Sequence, residues 1–278
     1  MFKISFFSFL LQFVVLISTN AIASEHSLEA LQKAAQNPIA NMMSFPFQNN
    51  LNYGVGPKDK IANVLNIQPI LPFDINDNWI MITRTILPLI YLNEGISGLD
   101  VLPSSINDGI NFGLGDINFS LFLSPKKTHD WIWGLGASFN FPTATDKYLG
   151  SKKYSIGPTA VLMTQKSHWS IGLLLRQIWS YAGESERADV NQTLIQPFIN
   201  YNMKNGWYLS TAPIMTANWS ESDADQRYVI PLGLGVGKIF KMGQLPINTT
   251  LHYYNNIKSP DLGAEGTVRI QVQFMFPK

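Results

Sequence analysis

Apolar and polar residues alternate with period two along most of the chain, the signature of strands with two unlike faces. Near the end, Val268, Ile270, Val272, Phe274 and Phe276 fall on one face, and Thr267, Arg269, Gln271, Gln273 and Met275 on the other. Trp131, Trp133, Leu135, Ala137, Phe139 and Phe141 likewise oppose Gly134, Gly136, Ser138 and Asn140. Tyr228, Ile230, Leu232, Leu234 and Val236 oppose Gly233, Gly235 and Gly237. The alternation predicts twelve strands, over 44–55, 61–73, 79–89, 111–123, 131–142, 154–164, 169–181, 192–203, 206–218, 228–240, 247–256 and 266–276.

The connections add a second signal. Segments 74–78, 124–130, 165–168, 204–205 and 241–246 are short, and the connections at the other end, over 56–60, 90–110, 143–153, 182–191, 219–227 and 257–265, are longer in all but the first. An even number of antiparallel strands, short turns at one end and long loops at the other describe an all-β, up-and-down transmembrane barrel. A large soluble β-protein of the periplasm is the competing fold, but a sandwich has no reason to alternate its loop lengths. Trp79, Trp131, Trp133, Trp169, Trp179, Trp207, Trp219 and Tyr228 lie near strand ends, where interfacial girdles place amphipathic rings.

The first residues read differently. Lys3 precedes an apolar run from Ile4 to Ile17, and Ala21-Ile22-Ala23 closes the segment. The run falls short of the roughly 20 apolar residues of a spanning helix. A cleaved signal peptide over 1–23 is expected, with export to the outer membrane of a Gram-negative cell. From residue 24 to 43, Ser27 is placed to cap a short helix with Leu28, Leu31 and Ala35 on one side, ended by Pro38. That helix lies under the barrel in the periplasm, lies inside the lumen, or is frayed. The barrel takes the rest, 44–278.

Composition narrows the chemistry. Cysteine is absent, which excludes disulfides and thiolate metal sites. Charged residues are 14 % against about 25 % in ordinary soluble domains, and the net charge is +1, which gives no pull toward nucleic acid. The four histidines stand at no ligand spacing, and no cofactor is indicated.

Several motifs together resemble a known family. They are Asn37-Pro38-Ile39-Ala40 with Pro46-Phe47-Gln48-Asn49-Asn50, Asn66-Ile67-Gln68-Pro69, and Arg84-Thr85-Ile86-Leu87-Pro88. Gly113-Leu114-Gly115-Asp116, Gln196-Pro197-Phe198-Ile199-Asn200-Tyr201, Gly206-Trp207-Tyr208 and Pro231-Leu232-Gly233-Leu234-Gly235-Val236-Gly237 continue the match. The sequence resembles a bacterial outer-membrane β-barrel family related to transporters assigned to the phenol meta-pathway (MetA-type), some of them mislabelled neuromedin U. The resemblance implies a channel or transporter for small solutes, and the family name suggests aromatic or hydrophobic compounds. It supplies no catalytic residue.

A charge on the lipid face of a barrel costs roughly 2–4 kcal/mol near the midplane. Arg84, Asp116, Arg176 and Arg269 are therefore expected to face the lumen, with Arg84 and Asp116 paired across neighbouring strands. Gln48, Gln68, Gln196, Gln271, Gln273, His252 and Tyr254 are expected beside them. Two readings stay open: a narrow channel whose arginines attract anionic or polar solute groups, and a lumen filled by its own polar network. A third, lipid hydrolysis, rests on His168-Trp169-Ser170, a histidine base beside a serine, though the tripeptide sits at a turn and Ser170 points inward. Glu221, Asp223 and Asp225 form an acidic loop that is more often solvated than calcium-binding. Lys152, Lys153 and Arg187 are expected to meet lipopolysaccharide, and insertion calls for barrel assembly machinery.

Overall fold

A computed structural model of the chain describes residues 25–94 and 109–277. The signal segment lies outside the described residues. A helix, α1 (Glu25–Gln36), is followed by twelve antiparallel strands that close on themselves. Strand β1 is Met43–Val55. β2 is built of Lys60–Ile67 and Ile70–Asp74, and β3 is Trp79–Leu92. β4 combines Asn111–Leu114 and Ile117–Pro125. β5 is Ile132–Phe141, β6 Lys153–Lys166, β7 Trp169–Gly183 and β8 Asn191–Asn202. β9 combines Trp207–Thr211 and Met215–Asn218. β10 is Tyr228–Met242, β11 Leu245–Lys258 and β12 Gly266–Phe276.

Each strand pairs with its sequence neighbours, and β12 pairs back on β1 with Gln48 opposite Gln271 and Asn50 opposite Arg269. Closure leaves no open sheet edge. The three split strands break where the ladder is interrupted. Pro69 in β2 and Pro213 in β9 have no N–H to give a neighbour. In β4 the break is at Gly115-Asp116.

The alternation read from the sequence is the alternation of the barrel wall. Gln48, Asn50, Ser120, Ser138, Thr159, Asn200, His252, Arg269 and Gln273 are buried on the inside. Leu135, Leu162, Leu175, Leu209, Leu232, Leu234, Leu251 and Ile257 stand exposed on the outside. An apolar belt of this extent exceeds what a soluble monomer exposes, and it fits a hydrocarbon layer. Aromatic rings collect at both rims. At the turn end Trp79 packs on Trp133 and Trp169 on Tyr201, while Lys238 lies 4.8 Å over Trp207. At the loop end Tyr53 stacks on Tyr253, Tyr154 meets Tyr181, and Trp219 meets Tyr228.

Both ends of the bore are filled. At the turn end Leu31, Ala34 and Ala35 of α1 pack on Met42, Tyr208, Ile239 and Met275. Gln32 Nε2 donates to the Trp207 carbonyl at 3.0 Å, and Gln36 and Asn202 exchange amide hydrogen bonds at 2.7 and 3.2 Å. Ile39, just past the helix, enters a cluster of Ile80, Ile82, Phe122, Val161, Met163, Leu174 and Phe198. At the loop end, Leu149 from the loop over 142–152 is fully buried against Val55, Ala62, Ile90 and Leu92.

Candidate functional site

Between these two fillings lies a chamber of about 170 Å³. Arg84 comes from the middle of β3, and β2 breaks directly beside it. Gln68 at that break accepts from Arg84 Nη2 at 2.5 Å. Arg269, on β12, is 8 % exposed. Its Nε donates to Asn50 Oδ1 at 2.9 Å and its Nη1 to the Ala212 carbonyl at 3.0 Å. Ala212 lies in the break of β9, where its carbonyl is released from the ladder. Two interruptions in the wall thus supply acceptors for two lumenal arginines.

Across from Arg269 in register stands His252 of β11, which stacks on Tyr254 at 5.6 Å. The Arg269 guanidinium lies 5.0 Å over the Tyr254 ring, and Tyr254 accepts from the Ala212 N–H at 3.0 Å. Room for these rings comes from β10. A Cβ on Gly235 would fall 2.5 Å from His252 Cδ2, and one on Gly237 would fall 2.1 Å from Tyr208 Cζ. Tyr208 donates to Asn248 Oδ1 at 2.6 Å, Asn248 to Gln273 Oε1 at 3.0 Å, and Gln273 to Ser44 Oγ at 3.3 Å.

The electrostatics are one-sided. Among the described residues no carboxylate lies within ion-pair distance of Arg84 or Arg269. Arg84 also feels the like charges of Arg176 and Arg269. Among the described residues, Arg84 Nε and both ring nitrogens of His252 are buried without a hydrogen-bond partner.

Of the residues expected to line the lumen, Arg84, Arg269, Gln68, Gln196, Gln271 and His252 border the chamber. Arg176 faces inward but sits apart from it, and donates to Gln192 Oε1 at 3.1 Å. The expected pairing of Arg84 with Asp116 does not form. In register Arg84 faces Ser120. Asp116 lies in the break of β4, toward the loop end, and accepts from Ser151 N and Ser151 Oγ at 2.7 Å each and from Ala144 N at 3.3 Å. It holds a loop rather than an arginine. Missing from the sequence-based expectation were Asn50, the Ala212 carbonyl and the apolar wall of Ile70, Leu174 and Phe198. The proline breaks were the available signal for the carbonyl.

His168 and Ser170 do not meet. His168 is exposed at the turn beside Tyr201, whereas Ser170 is fully buried on the inner face and takes a hydrogen bond from Gln165 at 3.3 Å. In the acidic loop Asp225 pairs with Lys258 at 2.8 Å and Asp223 Oδ1 caps the Asp225 N–H. Among the described residues no group of three acidic or histidine side chains is placed to hold a metal. Lys153 is largely buried and pairs with Asp189 at 3.0 Å, Lys152 approaches Glu184 at 4.0 Å, and Arg187 donates to the Lys147 and Gly150 carbonyls at 2.9 and 2.7 Å.

Residues 59–193 match the family described as "Putative MetA-pathway of phenol degradation". An outer membrane channel from Pseudomonas putida F1 has a similar solved structure, with TM-score 0.62 and 14 % identity, covering 84 % of this chain and 94 % of that one. The NanC porin matches with TM-score 0.52 and 9 % identity, over 84 % of this chain and 100 % of that one. Outer membrane phospholipase A from Escherichia coli matches at TM-score 0.42 and 11 % identity, over 92 % of this chain and 99 % of that one, too distant to carry an argument. No curated protein is similar enough in sequence to match.

Proposed function

We propose that this chain, whose residues 59–193 match the MetA-pathway family, is a passive outer-membrane channel for a small anionic or polar solute. The short-turn end, where α1 and the last residues of β12 lie, faces the periplasm, and the long loops face outward. Export by a signal peptide cleaved near Ser24 fits that placement.

One observation carries the reading. Arg84 and Arg269 border a chamber inside the barrel, and no carboxylate among the described residues neutralises them. A purely structural network would balance such charges, because an unpaired charge in a low-dielectric interior is costly. A lumen biased this way admits anions and repels cations. The family's description speaks of phenol degradation, and the similar Pseudomonas putida protein is an outer membrane channel. Small aromatic compounds are therefore the first solutes to try.

The second reading, a structural barrel without transport, draws on the fillings at both ends of the bore. Planar-bilayer recording decides between them. Purified protein should give single-channel conductance with anions preferred. Arg84→Ala and Arg269→Ala should shift that preference toward cations and leave melting nearly unchanged. Absence of both conductance and solute flux, or a lower melting temperature with unaltered selectivity, favours the structural barrel. The lipid-hydrolase reading has no geometric support, since His168 and Ser170 point to different sides of the wall. Ser170→Ala with unchanged lipid hydrolysis would remove it.

A further inference from the structure

We propose that the chamber between Arg84 and Arg269 is a binding site for one small organic monocarboxylate, with an apolar body no larger than a single ring. The site deepens the channel reading by naming the solute class, yet binding here does not require conductance.

Charge comes first. Two guanidinium groups share the chamber with no carboxylate from the chain within ion-pair distance among the described residues, and Arg176 adds to the same field. One bound carboxylate relieves this repulsion and offers two oxygens to planar donors of matching geometry.

Unfilled hydrogen-bonding capacity points the same way. Arg84 Nε lacks an acceptor among the described residues. His252, only 5 % exposed, has neither ring nitrogen bonded among the described residues, although a neutral imidazole carries one donor and one acceptor. Buried polar atoms are rarely left this way unless something else occupies the space.

The apolar part of the lining sets the rest of the ligand. Leu174 and Phe198, with Ile70 beside Arg84 in register, add apolar surface to a chamber otherwise lined by guanidinium and amide groups. An inorganic anion would gain nothing from that apolar lining. The volume of about 170 Å³ is close to the roughly 150 Å³ of a cavity known to admit benzene. Amine solutes are disfavoured by the two arginines.

The test is calorimetric titration of the full-length protein, purified in non-ionic detergent, with benzoate, acetate, phosphate and benzylamine as probes. Benzoate should saturate one site per chain, acetate should bind at least tenfold more weakly, and benzylamine should not bind. Arg84→Gln should weaken benzoate at least tenfold while the barrel keeps its heat-modifiable gel mobility. Phe198→Leu, which leaves the arginines intact, should weaken benzoate severalfold and leave acetate unchanged. No saturable benzoate binding, phosphate binding as tight as benzoate, or unchanged benzoate affinity in both variants would overturn the proposal. Anion conductance without benzoate binding removes the site and leaves the channel. Benzoate binding without conductance removes the channel and leaves the site.

Discussion

Gly235 shows how one missing side chain shapes the interior. It lies on the inner face of β10 in register with His252, and any Cβ there would overlap the imidazole. Gly235→Val should push His252 off Tyr254 and cost about 1–3 kcal/mol, the usual penalty of overpacking. The urea midpoint for unfolding from lipid vesicles reads this directly. A midpoint equal to wild type would mean that the His252–Tyr254 stack gives way without strain. The glycines were visible in the sequence as an alternating run, but the ring that each one admits was not, because that ring comes from a different strand. The arginines behave in the same way. Charge cost alone turned Arg84 inward, even with Ile82 on its face. The structure shows why the mixture is tolerated: Ile82 joins Leu174, Phe122 and Phe198 in an apolar cluster inside the barrel, next to the polar chamber.

At the scale of elements, α1 is the part most easily moved. It touches the wall through Leu31, Ala34 and Ala35 and through amide hydrogen bonds of Gln32, Gln36 and, from the wall, Gln165, with no strand ladder holding it. Gln32→Ala with Gln36→Ala should loosen it and raise single-channel conductance severalfold, without altering the barrel's melting. Unchanged conductance in the double variant would show that α1 does not limit passage. The outer loops are held by charge. The hydrogen bond from Lys153, then that from Ser180, keeps the Asp189 carboxyl below its ordinary range, and the hydrogen bond from Lys258 does the same for Asp225. These clips are fully present above the ordinary carboxylate value near about 3.9. They are lost as pH falls through the lowered values, where the carboxylates take up protons. Both acids are exposed, so salt screens the effect. Amide hydrogen exchange in 184–190 and 219–227, corrected for intrinsic rate, should lose protection between pH 6 and pH 2 while strand amides keep theirs. Equal protection at both ends of that range would contradict the clips. Asp116 is the element-scale correction: parity along β4 pointed it at Arg84, but the break at Gly115-Asp116 resets the direction and gives it to Ser151.

For the whole molecule, the environment outside the wall decides what a substitution costs. Leu234, near the middle of β10 and 69 % exposed, faces outward. In a bilayer Leu234→Arg should destabilise by about 2–4 kcal/mol, while the same change at Met242, exposed at the turn-end rim of the same strand, should cost about 0–1 kcal/mol. Reversible unfolding in vesicles measures both. If Leu234→Arg costs nothing, the belt does not meet lipid.

The sequence by itself determined the strands, their order, the alternate turn and loop lengths, and the inward face of the strands that alternate clearly. These follow from local rules: a period of two, neighbours joined by hairpins, and a charge cost that forbids lipid-facing arginine. The tertiary structure alone decided what fills the lumen. Where α1 sits, that Leu149 closes the loop end, and that Arg84 and Arg269 share one chamber without an acid depend on contacts between residues far apart in the chain. No local pattern encodes such contacts, because closing the barrel fixes the distance from one inner face to the face across the bore.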